Sequence, residues 1–93
     1  MIEFEWGNRK DAANRRTHGV AFQQAARTFR NPFAIEWIDD RLDYGEVRMN
    51  LLGLCEGTIL HITYTERGER IRIISARRAT KSEKEYYYRE NGF

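Results

Sequence analysis

The stretch Thr63-Tyr-Thr-Glu-Arg-Gly-Glu-Arg-Ile-Arg-Ile-Ile-Ser-Ala-Arg-Arg-Ala-Thr80 decides how the chain folds. Two runs rich in β-branched residues flank Arg67-Gly68, the signature of a tight hairpin. Pairing about that turn sets Thr65 opposite Arg70, Tyr64 opposite Ile71, Thr63 opposite Arg72 and Ile62 opposite Ile73. Side chains alternate along a strand, so one face collects Ile62, Tyr64, Ile71 and Ile73. The other collects His61, Thr63, Thr65, Arg70 and Arg72. Five arginines lie between Arg67 and Arg78. That much charge on strands calls for a face open to solvent or to an anion.

Working outward, Thr80-Lys-Ser-Glu83 has the form of a capping box and predicts a helix from Lys81 to Glu90, ended by Asn91-Gly92. On the other side, Thr58 to Glu66 pairs back through Cys55-Glu-Gly57 to a strand over Glu46 to Leu54. There Arg48 and Asn50 share a parity and extend the polar face. Asp39 to Gly45 is a polar loop after a strand over Phe33 to Ile38. Asn31-Pro32 stops a helix whose stripe is Phe22, Ala25, Ala26 and Phe29. Before it, Asn8 to His18 reads as a polar helix closed by Gly19. Ile2, Phe4 and Trp6 alternate with Glu3 and Glu5 as a half-buried strand. The expectation is one α+β domain over residues 1–93, ordered β-α-α-β-β-β-β-α. Its sheet is mostly antiparallel, with helices packed on one face.

At 93 residues, 41% apolar and 32% charged, the chain is long enough for one core. Its apolar runs fall far short of the ~20 residues of a membrane span. The start of the sequence lacks the basic flank and apolar core of a signal peptide. A single cysteine, Cys55, suits a reducing compartment, so the expected location is the cytoplasm. Thirteen of the sixteen basic residues are arginine, the side chain that forks onto phosphate or carboxylate. From Gly7 to Arg30 there are six bases and one acid, and from Pro32 to Glu46 five acids and one base. A basic region of this kind suits a nucleic acid or an acidic protein, or is a solvated surface.

The chain resembles the BrnT family of bacterial type II toxins, which share the fold of RelE-type ribonuclease toxins. The resemblance runs from Phe4 to about Tyr87. It rests on Phe4-Glu-Trp6, on Lys10 and Asn14 ahead of His18-Gly19, and on Phe22-x-x-Ala-Ala26 with Phe29 and Asn31-Pro32. It continues through Gly45-Glu46, Gly53, Tyr64-Thr-Glu-Arg-Gly68 and, most specifically, Ile71-Arg-Ile-Ile-Ser-Ala-Arg-Arg-Ala-Thr80 with Glu83 and Tyr86. It implies a toxin that cuts RNA without a metal or other cofactor and slows translation. It further implies neutralisation by a cognate BrnA-like antitoxin, whose DNA-binding part lets the complex repress its own promoter. Two positions depart from the family. Gly7 stands where Asp is usual, and Ala21 where Ser or Thr is usual. Each loses a helix N-cap side chain at about 1 kcal/mol.

Metal-free RNA cleavage needs a base near the 2′-hydroxyl, an acid near the leaving oxygen, and cations on the phosphoryl oxygens. Arg77 and Arg67 are candidates for the cations, with Arg70, Arg72 and Arg48 holding the RNA backbone, or serving as sheet-surface charges. Glu66 reads as the base or as a carboxylate that orients an arginine. His61 reads as acid or base, or as a sheet histidine. Lys10 either touches phosphate or is solvated. Tyr86, with Tyr87 and Tyr88, can stack on a base or donate a proton, though three consecutive helical residues point apart and one must face the sheet. Trp6 and Trp37 read as core, and His18 as a helix-end residue. No Gly-rich phosphate loop, zinc spacing or serine-hydrolase motif is present. The competing expectation is a catalytically inactive binding module on the same scaffold, acting only on a protein partner or a nucleic acid.

Overall fold

A computed structural model describes residues 2–41 and 43–92. In chain order the elements are β1 (Glu3–Glu5), α1 (Asn8–His18), α2 (Phe22–Thr28), β2 (Ile35–Asp39), β3 (Arg48–Cys55), β4 (Thr58–Arg67), β5 (Arg70–Arg78) and α3 (Lys81–Glu90). The five strands form one sheet in the order β1-β5-β4-β3-β2. β1 runs parallel to β5 and every other pair is antiparallel. The fold is α+β, as the sequence predicts. No helix among the described residues is long and apolar enough to cross a membrane.

The β4–β5 hairpin differs in register from the sequence reading. The loop is Gly68-Glu69 and pairs Arg67 with Arg70 and Thr65 with Arg72. Gly68 takes φ +61° while Glu69 keeps a negative φ, the pattern of a type II′ turn, which wants glycine first. A loop of Arg67-Gly68 would put arginine where glycine is needed. The ladder then slips by one: Tyr64 faces Ile73, but Thr63 faces Ser75, leaving Ile74 as the extra residue of a β-bulge. The bulge inverts the parity of β5. Before it Arg70 and Arg72 share a face with Thr65; after it Ser75 and Arg77 do. An unbroken strand would have turned Arg77 to the side of Ile71 and Ile73.

That apolar side carries α1 and α2. Val20, Phe22, Ala25, Leu51, Leu60, Ile62, Tyr64 and Ile73 form the main core, flanked by Phe4, Trp6 and Phe29. Phe29 packs edge-on against both Phe4 and Tyr64, with centroids 5.0 Å apart in each case. Gly53 lets α2 sit this close, since a Cβ there would lie 2.7 Å from Thr28 Cγ2. Asn14 ties α1 to β5 beyond the end of β1. Its amide donates to the carbonyls of Ala76 (2.7 Å) and Val20 (2.8 Å), and its Oδ1 accepts from Ala76 N–H (3.2 Å).

Neither Gly7 nor Ala21 supplies a side-chain cap. At α2 the loss is partly made good from a distance, because Phe22 N–H donates to Asp11 Oδ1 at 2.8 Å. α3 begins with the full capping box between Thr80 and Glu83. The expectation of helices on one face holds for α1 and α2. α3 instead docks over one end of the opposite face, where Tyr87 is buried with Leu52 and Ile59. Tyr87 is thus the tyrosine that faces the sheet.

Candidate active site

The polar face can be read in rows from the pairing. One row runs Asp39, Arg48, Thr65, Arg72, Glu5. The next runs Trp37, Asn50, Thr63, Ser75, and the next Ile35, Leu52, His61, Arg77. Thr63 Oγ1 donates to Asn50 Oδ1 at 2.9 Å in the middle of this floor. The bulge and the docking of α3 bring Arg77, His61 and Glu83 together. Arg77 donates Nη1 and Nη2 to the two oxygens of Glu83 at 2.8 and 3.0 Å, a bidentate fork. Glu83 also accepts from Thr80 N–H at 2.8 Å, and its Oε2 lies 3.9 Å from His61 Nε2.

The environment sets the charge states. Glu83 is pulled down to about 2, chiefly by the hydrogen bonds from Arg77, so it is ionised at neutral pH. His61 is pushed below its ordinary value by burial first and by the positive Arg77 second. Its side chain is 9% exposed. The result is a neutral imidazole beside a carboxylate that accepts three hydrogen bonds and an arginine whose side chain stays 36% exposed. Trp37 stands edge-on to His61 at 5.7 Å and to Tyr86 at 6.4 Å. Trp37, Tyr86, Leu52, Ser82 and Glu83 line a cavity of about 370 Å³. A larger cavity, about 520 Å³, lies between β1 and α2 among Ile2, Phe4 and Phe29, away from this cluster.

The other candidates fall around this centre. Arg70 and Arg72 share its face but are partnered by β1, Arg70 with Glu3 at 3.3 Å and Arg72 with Glu5 at 3.7 Å. Arg48 lies over the Tyr44 ring at 3.9 Å with its Nε buried and unbonded. Arg67 is on the same face but six residues along β4 from His61, roughly 20 Å away. Glu66 alternates onto the opposite face with Tyr64, so it does not meet Arg77 or His61. Lys10 is exposed on α1.

Residues 6–83 match the family model described as the ribonuclease toxin, BrnT, of type II toxin-antitoxin systems. The chain belongs to this family. No curated protein matches it. The BrnT match spans Trp37, His61, Arg77 and Glu83, whereas Tyr86 and the β1 carboxylates lie outside it. A type II BrnT toxin has a protein antitoxin as its partner. Trp37 and Glu83 are the two residues of this centre that sequence reasoning did not place there. Glu83 was visible as a capping residue and as part of the family match but with no role at a site, and the double use of its carboxylate depends on Arg77 crossing the strand–helix junction. Trp37 had no signal beyond an apolar side chain in a strand.

Proposed function

We propose that this BrnT-family chain is a metal-independent endoribonuclease that inhibits translation and is silenced by a cognate BrnA-like antitoxin, whose DNA-binding part carries the complex to its promoter. The observation that carries the reading is the Arg77–Glu83 fork beside a neutral, buried His61 on an arginine-rich face. In this reading His61 takes the proton of the 2′-hydroxyl, whose oxygen attacks phosphorus. The P–O5′ bond breaks, and the 5′-oxygen takes a proton from solvent while the imidazolium returns its own. The products are a 2′,3′-cyclic phosphate and a 5′-hydroxyl. Arg77 stabilises the charge that builds on the phosphoryl oxygens. Glu83 holds three hydrogen bonds and is a weak base at its lowered pKa, so it positions Arg77. Arg48, Arg67, Arg70, Arg72 and Lys10 hold the flanking backbone.

Expression in bacteria, alone and with the neighbouring antitoxin gene, tests the reading. Growth arrest with loss of RNA, relieved by the antitoxin, is expected. Unimpaired growth with intact RNA at good soluble expression overturns it. One observation favours the second reading, a binding module without catalysis: Arg70, Arg72 and Arg77 each already face a carboxylate. That reading predicts antitoxin binding with no RNA loss.

A further inference from the structure

The cavity beside Glu83 is built as a corner. Leu52, 1% exposed, is part of its lining, and Trp37 and Tyr86 meet at an interplanar angle of 80°. A flat aromatic ligand stacked on one ring presents its edge to the other, and both are arrangements that aromatic rings prefer. Trp37 and Tyr86 pack against the Leu52 and Tyr87 cluster but stay half-buried, so part of each ring remains uncovered by the core, with Arg89 Cζ 5.7 Å from the Tyr86 ring centre. Ser82 adds a hydroxyl, able to donate or accept, 3.2 Å from Thr80 Oγ1. Glu83 belongs both to the cavity wall and to the Arg77 fork, so the corner starts one side chain from the phosphate anchor.

We propose that this corner is a nucleobase subsite: it takes the base of the nucleotide whose phosphate lies on Arg77, and so sets where single-stranded RNA is cut. This rests on the ribonuclease reading above. Base stacking on an aromatic side chain tolerates any base, while the Ser82 hydroxyl supplies a preference.

The test uses the wild-type chain and a 2′-O-methyl RNA hexamer, which binds but lacks the attacking hydroxyl. Saturable quenching of tryptophan emission is expected. Trp37→Phe should remove most of the quenching and keep affinity within about threefold, since Trp6 packs on Phe22 elsewhere. Trp37→Ala should weaken binding at least about fivefold, as should hexamers with abasic positions. On cleavable RNA, Trp37→Ala and Ser82→Ala should change the base preferred at the cut while both variants stay folded at the assay temperature, Trp37→Ala melting lower because Trp37 packs on the Leu52 cluster. Quenching that persists in Trp37→Phe, or unchanged cut positions and affinity in folded Trp37→Ala, overturns the subsite even if RNA is cut normally. Trp37-dependent binding by a chain that cuts no RNA sinks the ribonuclease reading and leaves the subsite standing.

Discussion

Glu83 carries two duties with one carboxylate. It closes the capping box of α3 and holds the Arg77 fork, and it lies near enough to His61 to raise that imidazole's pKa against the lowering by burial and Arg77. The signs can be checked by following His61 ring resonances with pH. The wild-type midpoint should lie below 6.5. Glu83→Gln should move it lower and Arg77→Gln higher; the opposite order contradicts this electrostatic account. Because the folded His61 pKa is depressed, its contribution to stability is present above pH 6.5 and lost as pH falls through the folded value. Glu83 contributes stability above pH 4.5 that is lost toward about 2. In cleavage, the acid limb of the rate profile should fall below pH 6.5. Gly7 is a second residue-scale case: with only ordinary contacts around a Cβ there, Gly7→Asp should cap α1 and gain a few tenths of a kcal/mol in denaturant unfolding, since glycine is itself a tolerated N-cap. His61 was legible as a candidate because it alternates with Thr63 and Thr65 onto the polar face, whereas Arg77 was picked out by the family motif it ends, since unbroken alternation puts it on the other side. Glu66 was chosen for its place next to Arg67, and neighbours in a strand face opposite ways.

The β5 bulge is the element that assembles the candidate site. It moves Arg77 from the helix side to the polar side, and Asn14 pins the backbone at Ala76 just after it. Asn14→Ala leaves Ala76 N–H and two carbonyls without these partners. It should cost about 3 kcal/mol in denaturant unfolding, with a loss of cleavage. A cost under about 1 kcal/mol would show that the bulge does not need this clamp. Gly53→Ala should cost about 1–3 kcal/mol by forcing α2 off the sheet, measured the same way. The elements themselves were legible: the capping box gave α3, Gly19 closed α1, and Asn31-Pro32 stopped α2. The bulge was not, because Ile73-Ile74-Ser75 carries no glycine or proline and an apolar extra residue does not disturb the apolar pattern. Nor was the placement of α3 across the sheet, since its sheet-facing Tyr87 sits between two other tyrosines.

Across the whole molecule, charge is arranged as a face that is basic in content and on which Arg70, Arg72 and Arg77 already face carboxylates. Glu3 and Glu5 hold Arg70 and Arg72 in surface pairs, which are worth little and exchange readily for phosphate. Removing both carboxylates as Glu3→Gln with Glu5→Gln should tighten RNA binding and steepen its salt dependence; unchanged affinity would place the RNA elsewhere. The same face is where an antitoxin would block RNA by bulk and by charge. Composition indicated an anion-seeking surface, while the pairing pattern located it. The central claim is that Arg77 acts on an RNA phosphate without a metal. The most direct test incubates purified chain with RNA in excess EDTA and maps the ends. The account predicts 2′,3′-cyclic phosphate ends from the wild type, and at least about 100-fold slower cutting by an Arg77→Ala variant that melts lower than its parent but is folded at the assay temperature. Intact RNA with folded wild-type protein, or parental cutting by Arg77→Ala, would contradict it.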